Sequence, residues 1–179
     1  MPRPELIGEG EALPEFTLPA ADNSSWSLAH LLRGERALLI FYRRDCPASR
    51  ALLPLVERMH RRLARARLRI AGVAQDNHRD TLELADGYQL TFPLLLDHPR
   101  FALSRELGVR EVPTQIWFSP SGRVEGTLVG FSRTGQEQLF LRLARELGQV
   151  EQGLLHAGDL IPERVAGWPS ASAGAEPGS

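Results

Sequence analysis

The sequence predicts an α/β domain: a mixed sheet with helices covering both faces. Three observations predict it. Residues 37–42, Ala-Leu-Leu-Ile-Phe-Tyr, form an unbroken apolar run, as expected for a central strand buried on both sides. The chain then alternates between helical and extended patterns, which implies parallel strands joined by right-handed crossovers. Finally, two apolar runs flank the turn-forming quartet Ser119-Pro120-Ser121-Gly122, which adds an antiparallel hairpin.

Taken in order, residues 1–12 are a polar lead-in rich in proline and glycine. Phe16-Thr17-Leu18 and Trp26-Ser27-Leu28 flank Asp22-Asn23-Ser24-Ser25 and predict a small hairpin. A helical turn near Leu31 ends at Gly34, and the strand over 37–42 follows. From Cys46 to about Arg67 the pattern is helical, with Leu52, Leu55, Val56, Met59 and Leu63 on one stripe. Arg58, Arg61, Arg62 and Arg65 lie away from that stripe and read as a solvated face. Pro54 falls inside the helix and should kink it. His60 is expected at the helix surface. Residues 68–74 predict a second strand, with Asp76 expected to cap the helix over 81–88. A short strand spans 92–96, and a helix over 99–107 is closed by Gly108. Strands over 115–118 and 124–129 form the hairpin, and a helix over 136–147 ends at Gly148. Trp26 and Trp117 are expected in the core. The main domain is thus residues 13–148. Residues 149–168 are expected as an irregular extension and 169–179 as a disordered tail.

Composition narrows the chemistry. The net charge of the 179-residue chain is −1, which suggests neither nucleic acid nor an anionic membrane as a partner. All 21 basic residues are arginine, so Schiff-base and lysine-base chemistry are excluded. One cysteine excludes an intrachain disulfide and a multi-cysteine metal site. No metal or cofactor is expected, and no glycine-rich phosphate loop follows a strand. The N-terminus lacks the apolar stretch of a signal peptide and no segment reaches membrane-spanning length, so a reducing, cytoplasmic location is expected.

The lone Cys46 is the candidate nucleophile. At a helix N-terminus its sulfur meets free backbone N–H groups and the positive end of the helix dipole, which favour thiolate. Arg43 and Arg44 add to this and the neighbouring Asp45 opposes it. Pro47 suits the first helical position. Ser49 lies one turn on, its hydroxyl a candidate hydrogen-bond partner for the sulfur.

With Cys46-Pro47-Ala48-Ser49 opening the first long helix, this order resembles the thioredoxin fold. Pro54 matches that family's helix-kinking proline, Glu111-Val112-Pro113-Thr114 its cis-proline loop, and Ser119-Pro120-Ser121-Gly122-Arg123 its hairpin turn. The N-terminal hairpin and the inserted strand–helix unit between residues 75 and 107 resemble the redoxin branch, with its TlpA/ResA-like disulfide reductases and AhpC/TSA-type peroxiredoxins. The resemblance implies that Pro113 is cis and lies against Cys46. It implies that Val112, Pro113 and Thr114 face the substrate, with the Val112 backbone free to pair with an extended chain.

The chain also departs from both templates. Asp45 stands where the reductases carry tryptophan, and Ser49 where they carry the second cysteine. Leu39 and Arg43 stand where peroxiredoxins carry the proline and the hydroxyl that binds peroxide. The expected function is therefore monothiol exchange. Cys46 would attack a disulfide of a protein or small molecule, and an external thiol such as glutathione, mycothiol or bacillithiol would resolve the adduct. A one-cysteine peroxidase and a non-catalytic binding module are the alternatives.

Overall fold

The computed structural model describes residues 3–149 and 152–173. Its centre is a five-stranded mixed sheet whose strands lie side by side in the order 94–96, 68–74, 36–42, 114–118 and 124–129. The elements run β1 (Thr17–Pro19), β2 (Ser25–Ser27), α1 (Leu28–Leu32), β3 (Arg36–Tyr42), α2 (Pro47–Arg62), β4 (Leu68–Ala74) and α3 (His78–Tyr88). They continue with β5 (Leu94–Leu96), α4 (Ala102–Glu106), β6 (Glu111–Val112), β7 (Thr114–Phe118), β8 (Val124–Val129), β9 (Phe131–Ser132) and α5 (Arg133–Glu146). Two short strands, β10 (Arg164–Val165) and β11 (Trp168–Pro169), and a 3-10 turn at Ala171–Ala173 close the described chain.

Strand β3 lies between parallel β4 and antiparallel β7, so the strand that leads to Cys46 is hydrogen-bonded along both edges. Every residue from Ala37 to Tyr42 is buried. Successive side chains point to opposite faces, so both faces of β3 are covered. The β1–β2 hairpin docks on the outer edge of the sheet, where Ala21 N–H donates to Leu94 O. Gly108 ends the α4 segment with φ +71, and a Cβ there would meet Glu5 O at 1.9 Å. This position admits glycine on both grounds.

Most boundaries fall near those the sequence predicts, with instructive exceptions. Helix α2 ends at Arg62, short of Arg67, as the chain turns through Leu63. Asn77, not Asp76, caps α3, accepting from Asp80 N–H at 2.9 Å. His60 is half-buried with its ring edge-on to Phe92 at 6.0 Å.

Of the four arginines expected on a solvated face, Arg61 and Arg65 are exposed, but Arg58 and Arg62 are not. Arg58 forms an ion pair with Asp159 and donates to Leu154 O, while Arg62 donates to the carbonyls of Gln152 and Gly153. These contacts hold the C-terminal extension on the domain. Nor is the chain disordered from residue 169: residues 169–173 are placed by strand pairing and side-chain bonds, and 174–179 lie outside the described residues. Among the described residues no helix is long and apolar enough to cross a membrane.

Candidate active site

The site is assembled where β3 ends. Three interactions fix the turn from Tyr42 to Cys46. Gln75 N–H donates to Tyr42 O (3.1 Å), Cys46 N–H to Arg43 O (3.2 Å), and Arg44 N–H to the Asp76 carboxylate (2.7 Å). Cys46 is the N-cap of α2 in extended conformation, with Pro47 opening the helix. Its sulfur fills the place of a capping oxygen, accepting Ser49 N–H at 3.4 Å. The thiol in turn donates to Val112 O at 3.4 Å.

That carbonyl belongs to the second half of the site. The Val112–Pro113 peptide is cis, and Thr114 Oγ1 donates back to Glu111 O at 2.7 Å. Thr114 pairs with Phe41 of β3, so the sheet register itself sets the loop against the turn that carries Cys46. Cys46, Ser49, Val112, Pro113 and Thr114 thus meet at one place, all buried.

Several expected roles take a different form. Ser49 touches the sulfur through its backbone N–H, while its hydroxyl accepts from Arg43 N–H at 3.4 Å. Arg44 is engaged by Asp80 and Glu83, and Arg43 donates to Pro169 O at 3.1 Å. Both guanidinium groups therefore have partners other than the sulfur. Asp45 is exposed, as are Pro47 and the mid-helix Pro54. Beside the turn, a cavity of about 390 Å³ is lined by Arg44, Asp45, Arg50, Glu83 and Tyr88.

Behind the turn lie the half-buried Asp76, expected from the sequence only as a helix cap, and the buried Tyr42, expected only as part of the central strand. Burial raises the Asp76 carboxyl above its ordinary range, against the opposing effect of the Arg44 N–H bond. Tyr42 is fully buried and its hydroxyl has no partner among the described residues. Burial, and secondarily the Asp76 charge, push its ionisation far above the usual tyrosine value, so it stays neutral.

The largest departure concerns Val112. Its backbone is not free. Strand β11 pairs antiparallel with β6, placing Trp168 opposite Val112 and Pro169 opposite Glu111. Cys46, whose thiol meets the Val112 carbonyl, is 0% exposed. Beyond β11, Ser170 N–H donates to Arg110 O (2.8 Å) and Ala171 N–H to Gln75 Oε1 (2.8 Å). Gln75 Nε2 donates to Ser170 Oγ (2.6 Å) and to Ser104 Oγ (2.9 Å), and Ser104 Oγ donates to Asp97 (2.6 Å). A buried polar chain thereby joins the last residues of the described structure to the sheet.

A sulfur at a helix N-terminus, beside a cis-proline loop at the end of a central strand, defines a thioredoxin-like protein of the redoxin type. The AhpC/TSA family profile matches residues 10–127, and the chain belongs to that family. It is 27% identical over 128 residues to the thioredoxin-like protein YneN of Bacillus subtilis (strain 168), covering 69% of this chain and 73% of YneN. Among solved structures it is similar to a Chlorobium tepidum protein assigned as a thiol:disulfide interchange protein, DsbE. The TM-score is 0.73 at 23% identity, covering 79% of this chain and 99% of that one. The protein SMc02350 of Sinorhizobium meliloti 1021 also superposes with TM-score 0.73, at 15% identity, over 96% of this chain and 98% of that one. That coverage reaches past residue 148, so the likeness in fold includes part of the C-terminal extension.

Proposed function

We propose that this protein carries out thiol–disulfide exchange through Cys46 alone. The observation that carries the reading is the position of the sulfur. It caps α2, accepts the Ser49 N–H, and lies 3.4 Å from the carbonyl of the Val112–Pro113 loop. A thiolate formed there keeps the Ser49 N–H and the helix dipole. It attacks one sulfur of a substrate disulfide, forming a Cys46–substrate disulfide and expelling the other sulfur as thiolate, which takes up a proton.

Ser49 has no sulfur with which to resolve that adduct. An external thiol attacks the substrate sulfur instead, releasing Cys46 thiolate and carrying the substrate away as a new mixed disulfide. The net reaction exchanges one thiol for another across a disulfide, with no change in oxidation state overall. A low-molecular-weight thiol of a reducing compartment such as the cytoplasm fits the second step. The substrates on this reading are disulfide-containing proteins or small disulfides.

The experiment is capture. Cys46 should trap defined partners in oxidant-stressed cells, in adducts that reducing agent reverses and that Cys46→Ser does not form. Partners captured equally by Cys46→Ser would instead favour a pure binding module.

Membership of the AhpC/TSA family favours a second reading, a one-cysteine peroxidase. There Cys46 thiolate takes one peroxide oxygen to become sulfenic acid and releases an alcohol or water. Two external thiols then return it to thiol as water and a disulfide. Against it stand Leu39 and Arg43 in place of the family's proline and hydroxyl, and the Arg43 guanidinium bonded to Pro169 O. Single-turnover mixing with hydrogen peroxide separates the two: rapid sulfenic acid formation favours the peroxidase, an inert thiol the exchange reaction.

A further inference from the structure

We propose that residues 167–173 are a built-in strap that closes the Cys46 site. On this view Cys46 reacts only when the strap lifts, and an extended polypeptide takes its place in the reacting complex. The inference rests on Cys46 being the reacting group.

Four observations carry it. First, β11 occupies the backbone edge of Glu111–Val112 that an incoming extended chain would use. Second, the strap presses directly on the atom the thiol touches. A Cβ at Gly167 would come 2.8 Å from Val112 O and collide with the Glu111 carboxylate, so only glycine fits between strap and site. Third, the sulfur is wholly enclosed while the strap is down. Fourth, the strap is built to let go. From Ile161 to Pro169 not one residue is buried, and Trp168 is 39% exposed. The segment is held by two two-residue ladders, the Arg133–Glu163 and Arg43–Pro169 contacts and the hydrogen bonds of Ser170, Ala171 and Ser172, with hardly any apolar burial. Segments with few buried apolar contacts open at the low end of a protein's local stabilities, well before the fold as a whole.

Arg43 has a natural place in this scheme. It lies in the turn that carries Cys46, yet its guanidinium holds the carbonyl of Pro169. The residue expected to tune the thiol thus ties the strap over it.

The test uses the full-length chain and the alkylation rate of Cys46 by iodoacetamide, read by intact mass at fixed pH. Gly167→Val inserts a side chain where none fits. The double variant Gly167→Val/Ser170→Pro also removes the N–H that donates to Arg110 O. Gly158→Ala, in open space, is the control. Both strap variants should alkylate about tenfold faster or more, because the observed rate follows the population of the open form. The control should match the parent. A synthetic peptide of sequence 163–173 should slow the double variant again, and a scrambled peptide should not.

Parental rates in the double variant would overturn the proposal. So would acceleration that the peptide does not reverse, since that would signal general loosening. Alkylation needs no disulfide partner, so the two readings fail separately. An accelerated double variant that forms no mixed disulfide would keep the strap and remove the exchange activity.

Discussion

Cys46 is enclosed from two sides by regions of opposite character. Behind it stands the wall of the central sheet, β3 between β4 and β7, a continuous apolar mass without an exposed side chain from Ala37 to Tyr42. In front lies the C-terminal strap, whose only buried residue between 161 and 173 is Ser170. Burial of a large apolar side chain is worth about 1.5–3 kcal/mol. Strap hydrogen bonds return only about 0.5–1.5 kcal/mol each, against a backbone ordering cost of about 1–2 kcal/mol per residue. On the proposed reading, the difference is what gives a fully buried thiol a way to meet its substrate. The wall fixes the sulfur's position, and the strap, close to energetic balance, decides when it is seen.

The largest expected effect attacks the wall. Phe41 is fully buried and pairs with Val73 and Thr114. Phe41→Ala should cost about 3–5 kcal/mol of global stability. Denaturant titration should show a lower midpoint with an unchanged slope. A cost well below this range would mean that the wall is less tightly packed than the comparison requires.

A smaller effect should come from the joint between the two regions. Gln75 sits at the end of β4 and holds both Ser170 Oγ and Ala171 N–H. Gln75→Ala should weaken strap docking by about 1–3 kcal/mol through the groups left unpaired. Amide exchange at Ser170 and Ala171 should accelerate much more than exchange at β3. Equal acceleration at both would erase the distinction between strap and wall.

The smallest effect is a dependence on pH. The hydrogen bonds from Arg58, and then from His156 N–H, hold Asp159 down at about 2, below its ordinary 3.8. A depressed carboxyl contributes stability that is fully present above the ordinary value and is lost as pH falls through the depressed one. Amide exchange around residues 156–159 should therefore rise as pH drops from about 4 towards 2, after correction for intrinsic rates. Arg58→Ala should flatten that dependence. A pH response that survives Arg58→Ala would point to another group.

The contrast also explains what could be read from the sequence. The wall was legible because it is written in local patterns: the run at 37–42, the stripe of α2 and the turn at 119–122 each announce one element. The loop at Val112–Pro113 was legible through its resemblance to a known motif, and the structure sets it against Cys46. The strap was not. Strands β10 and β11 have two residues each, too short for any periodicity, and β11 finds its partner more than fifty residues earlier. The small, polar sequence after Trp168 reads as disorder until Gln75, Arg110 and Val109 supply its hydrogen bonds. Arg58 and Arg62 read as solvated for the same reason, since their partners at 152–159 lie about ninety to a hundred residues away. Asp76 and Asn77 are both good caps in adjacent positions, and only the helix register decides between them.

One measurement bears most directly on the central claim that Cys46 is a single-sulfur exchange site. The folded full-length protein is incubated with glutathione disulfide, followed by intact mass, and then treated with excess reduced thiol. The account predicts one glutathionyl adduct on Cys46, formed slowly while the strap is intact, faster in Gly167→Val/Ser170→Pro, and removed by the added thiol. A Cys46 that forms no adduct in the folded double variant, yet is modified readily once the chain is unfolded, would contradict it.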